Sequence, residues 1–188
     1  MQTFYIKPSR SLFQHGFTLI EMLITLAIAG IILSSAIPAF ANMHARNQLT
    51  TQLYNLFAQH QLARTEAIKT NQRVIVCKSS DSLNCTRGSQ WHDGWIVFTD
   101  SNHNNNIDEH ERVIHIQQAL PENVTLTFNA FRSDNYITYF PGGYSTTNGT
   151  FTLCNQYGEK SAKSIIISRS GRARMDNKTS RGRPLECI

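Results

Sequence analysis

From Phe17 to Phe40 the chain is almost wholly apolar, and one acidic residue, Glu21, interrupts the run near its start. A run of this length meets the ~20 residues that an α-helix needs to cross a bilayer. The segment before it is mostly polar and carries Lys7 and Arg10. Positive charge ahead of the run predicts a cytoplasmic N-terminus and a body on the other side. No clear Ala-x-Ala cleavage site closes the run, as a secretory signal would require, so the segment is expected to remain as an anchor. Glu21 is then the anomaly. A charge at the centre of a membrane helix costs roughly 2.5–3.5 kcal/mol on insertion scales, so it calls for a compensating cation.

Beyond the run the helical period continues. Leu49, Leu53, Leu56, Phe57, Ala63, Ala67 and Ile68 recur at helical steps, and Gln48, Gln52, Gln59, Arg64 and Lys69 fill the opposite face. The pattern predicts one helix from about Phe17 to about Thr70, kinked or locally opened at Pro38. Its first half suits a membrane and its second half suits packing on a sheet. Short segments rich in β-branched and aromatic residues follow, separated by polar or Gly-containing turns. They predict strands over 73–78, 94–99, 112–117, 124–128, 136–140, 150–155 and 164–168, with 172–175 as a last extension. One helix followed by antiparallel strands is α+β architecture.

The formal net charge is +5, yet residues 160–188 alone carry +6, with eight Lys and Arg side chains against Asp176 and Glu186. Such asymmetry points to an anionic partner or to a solvated tail. Cys77, Cys85, Cys154 and Cys187 have neither Cys-x-x-Cys nor zinc spacing. In an exported body they are expected to pair. Among the pairings open to them, Cys77–Cys85 closes a short polar loop and Cys154–Cys187 pins the basic tail to a strand, and these are favoured.

The order Gly16-Phe17-Thr18-Leu19-Ile20-Glu21 resembles the class III signal of type IV pilins and pseudopilins. The resemblance implies a leader over 1–16 cut after Gly16 by prepilin peptidase, then methylation of Phe17. It also implies a transmembrane or filament-core helix over 17–41 and a soluble body over 42–188. The new α-amine of Phe17 supplies the cation for Glu21, in the neighbouring subunit of a helical filament. The residue before Gly16 is His15, where the family more often has Lys or Arg. The stretches "GWIVFTDSNHNNNIDEHERVIHI" (94–116) and "ITYFPGGYSTTNGTFTLCN" (137–155) look like the body of the GspH/FimT branch. The expected fold is therefore pilin-like, with one long N-terminal helix packed on an antiparallel sheet body.

The tail "SRSGRARMDNKTSRGRP" holds Arg169, Arg172, Arg174, Lys178, Arg181 and Arg183, with Lys163 just upstream. In a strand Arg172 and Arg174 point to one side, and guanidinium forks suit phosphate oxygens. "GRAR" matches the Gly-Arg-x-Arg pattern of the FimT type, which is linked to DNA capture in natural transformation. The expectation is a minor pilin that grips DNA through its phosphates, non-specifically and with steep salt dependence. The alternative is a type II secretion minor pseudopilin, or a priming subunit for pilus assembly, without DNA binding. Either sits in the bacterial inner membrane, with its body in the periplasm, before joining other pilins at the cell surface.

Other chemistry is not organised in this sequence. Asp100, Asn102, Asn104, Asp108 and Glu111 fall at the spacing of an EF-hand calcium loop. Asn105 stands where that loop wants Gly, however, and strands rather than helices flank it. The segment therefore reads as a hairpin connection held by Asx turns, with no metal or other cofactor expected. Nucleophile elbow, P-loop and dinucleotide fingerprints are lacking, so no enzyme is expected. Trp95 alternates with Val97 as a core residue would, and Trp91 is placed nearer the surface.

Overall fold

A computed structural model describes residues 16–130 and 133–187. The leader expected over 1–16 thus lies outside the described residues, except for Gly16. The chain divides into two compact units, Met1–Asn42 and Met43–Ile188. Helix α1 (Leu19–Thr70) supplies residues to both.

In the first unit, Thr18 caps α1: its Oγ1 accepts a hydrogen bond from the Glu21 N–H at 3.3 Å. Thr-x-x-Glu is the sequence pattern of a capping box, and an acid in the first turn also complements the helix dipole. Helix assignment runs through Pro38. Polar side chains on this stretch turn back onto their own helix. Ser34 and Ser35 donate to the carbonyls of Ile31 and Ile32, and Asn42 Nδ2 donates to that of Pro38. The apolar side chains, Phe17 to Phe40, are exposed.

The second unit is built on the remainder of α1, whose buried stripe is Ala45, Leu49, Leu53, Leu56, His60, Ala63 and Ala67. Asn71, at φ 54°, ends the helix in the left-handed conformation. Among the described residues eight strands follow: β1 (Val74–Lys78), β2 (Trp95–Thr99), β3 (Val113–Gln117), β4 (Val124–Ala130), β5 (Tyr136–Tyr139), β6 (Gly149–Asn155), β7 (Lys163–Ile167) and β8 (Ala173–Asp176). The pairing is antiparallel throughout. The strands form two sheets, ordered β3-β2-β1-β5 and β4-β6-β7-β8. Alternating positions of both sheets meet the helix stripe in one core. It includes Val74, Val76, Trp95, Val97, Ile137 and Tyr139 from the first sheet, and Leu126, Phe128, Phe151, Leu153, Ile165 and Ile167 from the second.

Trp91 corrects its sequence assignment. It sits in a short 3₁₀ turn (Trp91–Asp93), only 2% exposed. Its ring meets Phe151 edge-on at 5.0 Å between centroids, and its Nε1 donates to the Asp134 carbonyl at 2.7 Å. A single residue preceding a strand gives no period from which such burial can be read.

The outer face of the first sheet is not bare. Ile75, Cys77, Ile96 and Phe98 form a second buried cluster there, covered in part by Cys85 and Ile107 from two loops. This explains why β1 and β2 are buried at every position. Gly171, at φ +72°, approaches the Gly143 carbonyl so closely that a Cβ would overlap it. Arg64 Nε ties the same carbonyl to α1 at 2.8 Å. The β7–β8 turn, the β5–β6 loop and the helix thus meet at a point that only glycine fits.

Candidate functional site

Three regions carry the residues singled out from sequence. At the N-terminus, Gly16, Phe17 and Glu21 are all exposed, ahead of or within the first turn of α1. The helix is long and apolar enough to cross a membrane, and none of its apolar window is buried within the protein.

The basic residues are distributed over β7, β8 and the tail. Lys163 opens β7 half-buried, and its Nζ donates to Asn177 Oδ1 at 3.0 Å. Arg169, Arg172, Arg174, Lys178, Arg181 and Arg183 are exposed. Arg172 and Arg174 flank the buried Ala173, so both point away from the core. Arg174 lies 3.8 Å from Asp176, a long surface pair that leaves its charge largely available. Arg181 and Arg183 occupy a separate turn, closed by Thr179 N–H to the Arg183 carbonyl at 2.9 Å, with Gly182 at φ 74°. This turn is tethered at both ends. Ser164 Oγ donates to the carbonyls of Asp176 and Lys178, and a Cys154–Cys187 disulfide follows it, with Leu185 buried alongside. Among the described residues, no hydrogen bond or ion pair links the Arg172–Arg174 pair to the Arg181–Arg183 pair.

In the 100–111 loop the acidic side chains point to different partners. Asp100 is fully buried and faces the Arg73 guanidinium at 2.9 Å. The same guanidinium donates to Asn105 Oδ1 and lies over the Phe140 ring. Asp108 Oδ2 accepts from Nδ2 of Asn102 and of Asn104, at 2.6 and 2.8 Å. Glu111 accepts from the backbone of Ser101 at 2.8 Å. Successive Asx turns (Asn104 N–H to Asn102, Asn106 N–H to Asn104) complete a loop that carries an arginine as its cation. No group of three or more His, Cys, Asp or Glu among the described residues is arranged to hold a metal.

Sequence reasoning passed over two features. His60 was one histidine among seven without metal spacing, yet it is fully buried between the two sheets. Its Nδ1 lies 3.0 Å from Tyr139 Oη, its ring lies 5.1 Å from that of Phe151, and its Nε2 has no partner among the described residues. Burial lowers its pKa from 6.5 to about 3, and burial raises that of Tyr139, opposed by Arg64. The second feature is a small pocket beside the Cys77–Cys85 disulfide, lined by Lys78 and Arg87.

A long helix, apolar and exposed over its first part, joined to an antiparallel body, defines a pilin-like α+β subunit. The family described as type II transport protein GspH matches residues 53–171, and the prokaryotic N-terminal methylation motif matches residues 13–37. The chain belongs to the GspH family of type IV minor pilins and pseudopilins. A pilin-like protein, PilA1, of Thermus thermophilus is 29% identical over 167 residues, covering 87% of this chain and 99% of the relative. The type IV minor pilin FimU of Pseudomonas aeruginosa shares the fold, with a TM-score of 0.58 at 19% identity over 76% of this chain and 97% of FimU. The minor pseudopilin EpsH of the Vibrio cholerae type 2 secretion system does so with a TM-score of 0.52 at 14% identity, over 69% of this chain and 96% of EpsH. The role of the chain is structural rather than catalytic.

Proposed function

We propose that this chain is a minor subunit of a type IV pilus or of a type II secretion pseudopilus. It is made with a leader ending at Gly16, cut by prepilin peptidase and methylated on Phe17. Residues 17–41 hold it in the inner membrane with the body, 42–188, in the periplasm, until the same helix packs among other pilins. The observation that carries this reading is the exposure of every large apolar side chain from Phe17 to Phe40 beside an exposed Glu21. That surface requires lipid or other helices around it. In the filament, Glu21 neutralises the α-amine of a neighbour's Phe17, which relieves both charges of a low-dielectric setting.

Mass spectrometry of the chain recovered from membranes and from sheared filaments tests it. The expected N-terminal peptide begins with N-methylated Phe17, and Glu21→Val leaves processing intact but removes the chain from the filament fraction. A mature chain that starts elsewhere, or filaments that incorporate the variant normally, would sink the proposal.

A second reading adds DNA as a ligand. It rests on six exposed cationic residues from Arg169 to Arg183, with Arg172 just ahead of β8 and Arg174 within it, both pointing away from the core. DNA titration at two salt concentrations separates the readings. A DNA receptor loses affinity as salt rises and loses most of it in Arg172→Gln/Arg174→Gln or in Arg181→Gln/Arg183→Gln. Flat curves at low salt leave the filament role alone.

A further inference from the structure

The body, Met43–Ile188, has two ends along α1, and contacts with that helix fix which residues lie at each. At the end where the helix enters, Asn155 Nδ2, at the close of β6, donates to the Ala45 carbonyl at 3.4 Å. Asn123 Nδ2, just ahead of β4, donates to Gln48 Oε1 at 3.1 Å. Thr50 and Leu53 line a cleft with Lys163, Met175 and Asn177, which places the start of β7 and the finish of β8 there too. At the far end Arg64 Nε holds the Gly143 carbonyl, against which Gly171 packs. Arg64 lies about 28 Å from Ala45 along the helix axis, at the ~1.5 Å rise of each residue.

The basic residues divide accordingly. Arg169 and Arg172 stand at the far end: the Arg169 carbonyl accepts from Ser145 N–H at 3.0 Å, and Arg172 follows Gly171. Lys163, Lys178, Arg181 and Arg183 stand at the entry end. Ser164 Oγ holds the Lys178 carbonyl at 2.8 Å there, and Cys187 is bonded to Cys154 beside Asn155. Arg46, early in the body's part of α1, and Lys160, in the connection between β6 and β7, join them. That connection is fixed to the helix through Asn155, whose Oδ1 accepts from Tyr157 N–H at 3.0 Å and from Ser161 Oγ.

Of these six cations all but Lys163 are exposed, and none forms an ion pair with a described residue. Glu122, Glu159, Asp176 and Glu186 share this end. Asp176 is already engaged by the N–H groups of Asn177 and Lys178, so cations are in excess. Tyr157, 37% exposed, adds an aromatic ring of the amphipathic kind that settles at a membrane surface.

Chain connectivity decides what this surface meets. The apolar run closes at Phe40. The ~5 residues from there to Ala45 span at most about 18 Å even when fully extended, so the entry end stays near the interface whatever bends between them. The far end is under no such constraint. A basic surface within reach of a bilayer is attracted by anionic headgroups, and the attraction decays over a Debye length of about 8–10 Å.

We propose that the entry end of the body, through Lys160, Lys178, Arg181 and Arg183, rests on the anionic phospholipid headgroups of the membrane that residues 17–41 cross. The inference rests on the membrane-anchor reading above. Guanidinium forks and lysine ammonium groups pair with the lipid phosphates. The contact is given up when the helix leaves the bilayer for a filament.

The test uses the full-length chain in lipid nanodiscs, one set of phosphatidylcholine alone and one enriched in phosphatidylglycerol. A headgroup nitroxide broadens amide resonances near the bilayer surface, read by NMR at Gly182 in the tail turn and at Gly171 at the far end. An acyl-chain nitroxide reads Gly30, within the apolar run. Phosphatidylglycerol is expected to raise the broadening of Gly182 about twofold or more and to leave Gly171 unchanged. High salt removes the gain. Arg181→Gln/Arg183→Gln removes most of it while the Gly171 resonance keeps its position, which reports an intact fold. Broadening of Gly182 that is equal in the two lipids, or indifferent to the double variant, with Gly30 embedded, overturns the headgroup contact and leaves the anchor standing. Gly30 outside the bilayer overturns both. A DNA duplex that shifts Gly182 where phosphatidylglycerol has no effect assigns the turn to DNA and overturns the proposal.

Discussion

The buried imidazole of His60 makes the stability of the body depend on pH in a way that can be worked out in advance. Unfolded, an imidazole titrates near 6.5; folded, this one titrates at about 3 because burial penalises its charged form. Above pH 6.5 both states are neutral and the group contributes no pH dependence. Below it, only the unfolded chain takes up the proton, so stability falls by about 1.4 kcal/mol per pH unit until the folded value is approached. From pH 7 to pH 5 the loss is about 2 kcal/mol, a large share of the ~5–15 kcal/mol that holds a domain together. The groups around the ring offer no relief. Tyr139 Oη is a neutral phenol and Phe151 is apolar, so neither stabilises an imidazolium.

Urea unfolding of Met43–Ile188, followed by the fluorescence of the buried Trp91 and Trp95, measures this directly. His60→Gln removes the titrating group and loses ring packing, so the variant is less stable than wild type at pH 7. As pH falls the two should converge, because only the wild type has an imidazole to protonate on unfolding. The expected convergence is about 2 kcal/mol between pH 7 and pH 5. A difference between wild type and variant that stays constant over that range would refute the reasoning. It would mean that His60 titrates alike in the folded and unfolded states.

Other consequences are as direct. Gly171→Ala should cost about 1–3 kcal/mol by equilibrium unfolding, since it combines a left-handed backbone with an overlap on the Gly143 carbonyl. Gly182→Ala, where a Cβ meets nothing, should bear the backbone strain alone and cost less. Removing Cys154–Cys187, which closes a 33-residue separation, should lower stability by about 3–4 kcal/mol and make the 177–187 segment sensitive to trypsin at Lys178 and Arg181. Phe151→Ala opens the aromatic cluster with Trp91 and Phe128 and should cost about 3–5 kcal/mol in the same unfolding assay.

What the sequence made legible follows from the range of the interactions involved. The helix could be read to Thr70 because its apolar stripe repeats every three or four residues over many turns, and each strand because its period is local. The partition of those strands between two sheets could not be read, since it depends on pairings such as Val74 with Tyr139 that local period does not encode. Arg172 and Arg174 were legible as a pair because alternation about Ala173 fixes their side. Whether they share a surface with Arg181 and Arg183 depends on how the tail turns after Asp176.

The same limit explains why the calcium spacing misleads. Residues 100–111 carry ligand types in the order of a calcium loop, but Arg73, which lies just ahead of β1 and well back in the chain, reaches Asp100 first. His60 makes the point from the other side. It is ordinary in composition and spacing, and becomes anomalous only when the fold removes it from water and leaves Nε2 without a partner among the described residues. A ring nitrogen left in that condition costs folding energy. His60 therefore marks where acid conditions weaken the body.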